Sequence, residues 1–177
     1  MRPEALQSKT WIARSFFDLL SVKPLSVITI SEITENAELD RRTFYRHFKT
    51  KEDVISYSIQ EASKLYVEVI GDNTGCENYV IAKAFFEVCV TIKETLLILY
   101  KHNLLHMLLA DFNHIFTMFQ EQFAGEEELQ MENREYLLAY NIGGFWNLMI
   151  KWLADDCRKS PDQMAEIVKK VFQLQTI

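Results

Sequence analysis

Arg41, Arg42, Arg46, Lys49 and Lys51 fall within eleven consecutive residues, with Asp40 just outside them. A guanidinium is a planar fork of N–H donors, so Arg41 and Arg42 suit bidentate bonds to guanine O6 and N7, and Thr43 suits a thymine methyl or a phosphate. Thr29, Tyr45, His47 and Lys51 bring a hydroxyl, a phenol, an imidazole and an ammonium, groups that donate to phosphate oxygens and fix register without carrying sequence. The chemistry these types support is recognition of double-stranded DNA, with Arg41, Arg42 and Thr43 reading bases. By spacing alone, the stretch reads equally as a solvated basic face.

The net charge of the 177-residue chain is −6, but it is unevenly placed. Residues 1–55 carry nine Lys/Arg against eight Asp/Glu, whereas residues 56–177 carry ten against seventeen. A phosphate backbone responds to the local concentration around Arg41–Lys51 rather than to the total. Other chemistries find no support. The sequence has no G-x-S-x-G, phosphate loop or dinucleotide fingerprint, and its scattered carboxylates form no acid/base pair, so neither an enzyme nor a cofactor is expected. His102 and His106 stand four apart, a metal-ligand spacing, and His114 follows, but no H-E-x-x-H pattern accompanies them and no metal is expected. Cys76, Cys89 and Cys157 are odd in number and widely separated, which reads as free thiols rather than a disulfide framework. No apolar run approaches a bilayer span and the N-terminus has no signal-like core, so the expected location is the cytoplasm, away from membranes.

The residues around Arg41 must be held by helices. Glycine (five) and proline (three) are scarce while 49% of residues are hydrophobic, a balance that predicts an all-α fold, of about nine helices. Ile12, Ala13, Phe16, Leu19 and Leu20 recur at helical spacing and predict helix 1 from about Pro3 to Val22, stopped by Pro24. Thr29-Ile-Ser-Glu32 has capping-box spacing and opens a short helix 2 to about Asn36. Asp40 is placed to N-cap a recognition helix ending at Phe48, with Leu39 packing on Phe44 as a hydrophobic staple. Ile33, Ala37, Leu39, Phe44 and Phe48 are the expected core of this helix-turn-helix, which turns Arg41, Arg42, Tyr45 and His47 outward. Thr50 and Asp53 cap helix 4, which runs over 51–70 to a break at Gly71–Gly75. Beyond it the pattern predicts helix 5 from Cys76 to Ile92, helix 6 from Glu94 to His102 and helix 7 from Leu104 to Phe123. A loop at Gly125–Glu128 precedes helix 8 from Glu132 to Ala154, and Ser160-Pro-Asp-Gln163 starts helix 9. Residues 1–54 are thus read as a DNA-binding head, helix 4 as a link, and 55–177 as a second helical domain.

The stretch Ile30-Ser-Glu-Ile-Thr-Glu-Asn-Ala37, followed by Thr43-Phe-Tyr-Arg-His-Phe-Lys-Thr-Lys-Glu52, closely resembles the TetR-type regulators over about residues 10–55. The resemblance implies a three-helix DNA head, a linking helix 4, and a helical C-terminal domain that dimerises and often holds a small effector. Carried over by position, it assigns phosphate contacts to Tyr45, His47 and Lys51. Two departures stand out. Glu38 occupies a turn position where the family usually has glycine, which predicts backbone strain. Asp40-Arg-Arg replaces a Ser or Thr cap followed by a short polar residue, which suggests guanines at the matching operator positions.

Tyr140-Asn-Ile-Gly-Gly-Phe-Trp-Asn-Leu-Met-Ile-Lys-Trp152 also resembles a C-terminal type of that family. Helix 8 is apolar on two faces, one of Leu138, Ile142, Phe145, Met149 and Trp152 and another of Leu137, Tyr140, Gly144 and Leu148. The second side is expected to be another copy of the chain, with Phe145, Trp146, Met149 and Trp152 from helix 8 and Val168 and Val171 from helix 9 as interface anchors. A homodimer supplies two heads for a pseudo-palindromic operator. Phe85, Phe112 and Phe116 are candidates to line the pocket of a small-molecule effector. The function expected is a DNA-binding regulator, a repressor released by its effector. The alternative is a TetR-like coactivator that works by protein contact without DNA, as in dihydroxyacetone-kinase regulators.

Overall fold

The computed structural model describes residues 3–70, 78–123 and 132–174. Among these, nine α-helices and two 3₁₀ turns account for the regular structure, and there is no strand. The helices are α1 (Pro3–Val22), α2 (Ile30–Asn36), α3 (Arg41–His47), α4 (Glu52–Ile70), α5 (Asn78–Thr91), α6 (Lys93–Lys101), α7 (Leu109–Phe123), α8 (Arg134–Ala154) and α9 (Pro161–Leu174). The all-α architecture expected from composition is the one observed. The predicted breaks at Gly71–Gly75 and Gly125–Glu128, and Cys76, lie outside the described residues. Helix 7 begins later than its periodicity predicts. Asn103 is in the left-handed region at φ 57°, and the chain then tightens into a 3₁₀ turn at Leu105–Leu108 before α7 starts.

The chain divides into two compact units, Met1–Glu61 with Leu97–Leu108, and Ala62–Leu96 with Leu109–Ile177. The expected boundary at residue 54 falls near the start of α4, whereas the division lies inside that helix. The first unit also takes in the end of α6, a return of the chain that no local pattern announces.

In the first unit α1 packs on α2 and α3 through Ile12, Phe16 and Leu20, spaced one turn apart and all fully buried. Ile33, Phe44, Val54, Ile55 and Leu99 complete the interior. One buried polar link pins the α1–α2 crossing: the Ser15 hydroxyl donates to the Ile33 carbonyl at 2.7 Å and accepts from Asn36 Nδ2 at 3.1 Å. Satisfying a buried hydroxyl in this way avoids a desolvation cost of roughly 1–3 kcal/mol.

Helix α2 carries a cap at each end. At its start the Glu32 N–H donates to Thr29 Oγ1 (3.2 Å) while Glu32 Oε2 accepts from the Thr29 N–H (2.9 Å), the reciprocal capping box expected from the sequence. Lys23 reaches the other carboxylate oxygen. The Lys23 ammonium, with the Thr29 N–H and hydroxyl, holds the Glu32 carboxyl down at about 2, so the box stays charged and intact well into acid. At the other end the Leu39 N–H donates to the Thr34 carbonyl (2.8 Å) and the Glu38 N–H to Glu35 (3.1 Å), the paired bonds of a Schellman turn.

That turn puts Glu38 at φ 54°, the left-handed conformation its position implied. A side chain costs about 1–2 kcal/mol there that glycine does not pay in steric strain, partly offset by glycine's larger entropy loss on folding. Glu38→Gly is therefore expected to stabilise the head by about 0.5–1 kcal/mol, read as a raised Tm. A lowered Tm would mean that the Glu38 side chain makes a favourable contact outweighing the strain.

The second unit packs α9 along α5 and α7 on α8. Ser160 and Gln163 exchange the expected capping bonds, Gln163 N–H to Ser160 Oγ at 3.3 Å and Ser160 N–H to Gln163 Oε1 at 2.9 Å. The first turn of α9 is then tied to α5, because Asp162 Oδ1 accepts from Lys83 Nζ (2.6 Å) and from the Tyr79 hydroxyl (3.0 Å).

Candidate nucleic-acid interface

Helix α3 is oriented by its two ends and one buried face. Asp40, in extended backbone at ψ 156°, accepts the Thr43 N–H on its carboxylate at 2.7 Å and so starts the helix where the sequence places it. Phe44 is fully buried and Phe48 nearly so, their rings 5.6 Å apart, and Phe48 meets Tyr57 of α4 at 5.6 Å. Of the other expected core residues Ile33 is fully buried, while Ala37 and Leu39 are half-buried at the turn.

The exposed arc of α3 carries the charge. Arg41 and Arg42 are exposed, and no ion pair engages either one among the described residues. Thr43 is half-buried beside them, and Tyr45 is 51% exposed, its ring edge-on to Phe44 at 5.7 Å. Arg46 and Lys49, to which no contact was assigned from the sequence, are exposed as well. The signal for them was present in the spacing: Arg46 stands four residues after Arg42, and Lys49 four after Tyr45.

Three expected phosphate contacts sit otherwise. The Thr29 hydroxyl is engaged with Glu32, accepting its N–H and donating to Oε2 at 2.9 Å. Lys51 Nζ donates to the backbone carbonyls of Leu25 and, at 2.8 Å, Ile28, closing the 3₁₀ turn Leu25–Val27 against the start of α4. His47 is half-buried with Nε2 enclosed and without a hydrogen-bond partner among the described residues. Burial first, then the charges of Arg46 and Lys9, push its pKa below the ordinary histidine value, which leaves the ring uncharged at neutral pH. Anchoring by Phe44 and Phe48 alone would turn His47 outward, whereas the structure half-buries it. In the helix, Arg41 and His47 both fall about 60° from Phe44 around the axis, on opposite sides. The His47 ring lies against Phe48, with centroids 6.4 Å apart, and is half-buried, whereas Arg41 in the first turn is exposed.

In the second unit the expected interface anchors divide. Phe145, Met149, Trp152 and Val168 are buried in the subunit's own interior, with the Trp152 ring on Phe86 (5.5 Å) and the Phe145 ring on Phe116 (5.1 Å). The correction has a simple cause: a large apolar side chain suits a core as well as an interface, and periodicity does not say which face turns inward. Trp146 is half-buried against Phe112 at 5.1 Å, and Val171 is 40% exposed. The exposed apolar face is the other one, with Tyr136, Leu137 and Tyr140 outermost, and a groove of about 70 Å³ lined by Tyr140, Gly144, Leu148, Val168 and Val171. A Cβ built on Gly143 or Gly144 would meet nothing within 4 Å, so no packing within the described chain requires those glycines.

Phe85, Phe112 and Phe116 are brought together but fill one another's space. Phe112 stacks on Phe116 at 4.6 Å, Phe85 meets both edge-on at 5.8 and 5.5 Å, and all three are buried. Among the described residues, no group of three or more His, Cys, Asp or Glu could hold a metal ion. Within the same residues no helix is long and apolar enough to cross a membrane.

Comparison with known proteins places both halves. Residues 17–57 match the family model of bacterial regulatory proteins of the tetR family, and residues 79–174 match a model described as a transcriptional regulator C-terminal region. A curated relative, the HTH-type dhaKLM operon transcriptional activator DhaS of Lactococcus lactis, is 32% identical over 63 residues, 36% of this chain and 32% of that protein. The aligned stretch thus spans about a third of its relative's length. Among solved structures, a dihydroxyacetone kinase operon activator DhaS superposes with a TM-score of 0.61 at 17% identity, covering 95% of each chain. A transcriptional regulator from Aquifex aeolicus VF5 superposes with a TM-score of 0.62 at 19% identity, covering 94% of this chain and 98% of that one.

Proposed function

This chain belongs to the TetR family of bacterial regulators, and from that premise we propose that it is a transcriptional regulator whose α3 reads a pseudo-palindromic operator as part of a homodimer. The observation that carries the reading is the pair Arg41 and Arg42, exposed on the first turn of a helix that Asp40 caps and Phe44 anchors. The N-terminal turn is where a recognition helix meets base edges, and bidentate arginine is the commonest reader of guanine. The homodimer rests on the apolar face formed by exposed Leu137, Tyr140 and Val171 with half-buried Leu148, since one head buries too little surface for tight and specific binding. Regulation is by repression, relieved by a small apolar effector that enters the aromatic cluster around Phe85, Phe112 and Phe116 after its rings part.

A second reading is favoured by one observation, the match of a third of a curated operon activator. On that reading the protein activates, and contact with another protein replaces or supplements contact with DNA.

Fluorescence anisotropy of a labelled duplex from the region upstream of the protein's own gene separates the two. The first reading expects binding whose logarithm falls steeply and linearly with the logarithm of salt concentration. Absent or salt-insensitive binding, together with a stable complex with a neighbouring gene's product, would transfer the case to the second.

A further inference from the structure

We infer that the phosphate-contacting cations of this head are Arg46 and Lys49, and that Lys51 and His47 act inside the head rather than on DNA. The inference rests on the DNA-binding reading and reassigns which side chains serve it.

Helical geometry sorts the residues of α3 into two groups. At about 100° per residue, Arg41, Tyr45, Arg42 and Arg46 occupy one continuous arc of about 140°, with Thr43 and His47 flanking the side that Phe44 buries. Exposure follows the same division, with Arg41, Arg42, Tyr45 and Arg46 exposed and Thr43 and His47 half-buried. Arg46 lies one turn behind Arg42, about 6 Å further along the axis. When the first turn of such a helix is at the base edges, a cation one turn back stands where the groove wall rises and meets phosphate oxygens. Lys49 follows the end of α3 on the exposed side. Asp53, four residues on, uses Oδ2 to accept the N–H groups of Lys49 (2.8 Å) and Thr50 (2.9 Å) rather than the Lys49 ammonium.

Lys51 and His47 are differently committed. The Lys51 ammonium binds two carbonyls of the α1–α2 connection; the Leu25 carbonyl also accepts the Ile28 N–H at 3.2 Å, so an ammonium that left for a phosphate would strand the Ile28 carbonyl. The enclosed Nε2 of His47 has no path to a phosphate without rotation of the ring. Lys51 is therefore a positioning residue. It ties the loop that carries the Thr29 cap to the start of α4, and so holds α2, and α3 packed on it, in place.

Salt dependence distinguishes a phosphate contact from a positioning role. Each phosphate contact contributes about 0.9 to the slope of log Kobs against log salt. Arg46→Ala and Lys49→Ala are each expected to flatten that slope by about one per head, so about two for a dimer on its operator, and to lower affinity about tenfold per head at 0.1 M salt, alike on operator and unrelated duplex. Neither substitution should change Tm, since both side chains are exposed. Lys51→Met is expected to lower Tm and weaken binding at unchanged slope, and His47→Gln to leave the slope unchanged. Flattening by Lys51→Met or His47→Gln, or an unchanged slope in Arg46→Ala and Lys49→Ala, would overturn the assignment. Failure of the wild-type protein to bind any duplex would instead overturn the DNA-binding reading itself, with the assignment.

Discussion

Arg41→Ala/Arg42→Ala is expected to cost about 2–6 kcal/mol of operator binding per head, a loss of at least about thirtyfold, because each bidentate arginine–guanine pair is worth about 1–3 kcal/mol. Two heads on one operator double the loss. The fold should not change, since both side chains are exposed and alanine favours helix. The Asp40 carboxylate would still accept the Thr43 N–H, and Phe44 and Phe48 would still anchor the helix. Circular dichroism and Tm should therefore match wild type while anisotropy reports the loss. The discrimination between operator and unrelated duplex should also collapse, unlike the uniform weakening expected for Arg46→Ala. A loss under threefold with an unchanged specificity ratio would mean that Arg41 and Arg42 read no bases.

What the sequence reveals about this molecule is mostly what is local. The Thr29–Glu32 and Ser160–Gln163 boxes and the Asp40 cap depend on residues three apart, so their hydrogen bonds could be foreseen from spacing alone. The left-handed turn at Glu38 was legible for the same reason, as a turn position held by a non-glycine. Asn103 and Asp156 follow α6 and α8 in the same conformation, at φ 57° in both cases, and the periodicity places both helix ends to within one residue. Non-local commitments were hidden. Whether the Lys51 ammonium goes to phosphate or to carbonyls depends on the path of Leu25–Ile28, more than twenty residues away. The two faces of α8 were both visible in the periodicity, but their assignment to interior and exterior depended on where α5 and α7 pack.

That assignment leads to the second large effect. In the proposed dimer Leu148→Glu is expected to give a folded monomer, because it puts a carboxylate into the apolar groove beside Gly144 and Val171. In a two-fold interface the same change enters twice, and each unpaired buried charge costs several kcal/mol. The substitution should therefore raise the dimer Kd by at least about a thousandfold, with helicity retained because Leu148 is only half-buried in its own subunit. Operator affinity should fall with it, since a lone head loses the second half-site. Phe145→Ala separates the two faces of the helix. Phe145 is 5% exposed and touches Phe85 and Phe116, so its truncation should cost about 3–5 kcal/mol of folding and lower Tm, whereas Leu148→Glu acts chiefly on the oligomer. Sedimentation velocity at micromolar protein reads the difference directly. A Leu148→Glu protein that still sediments as a dimer would remove this face of α8 from the interface.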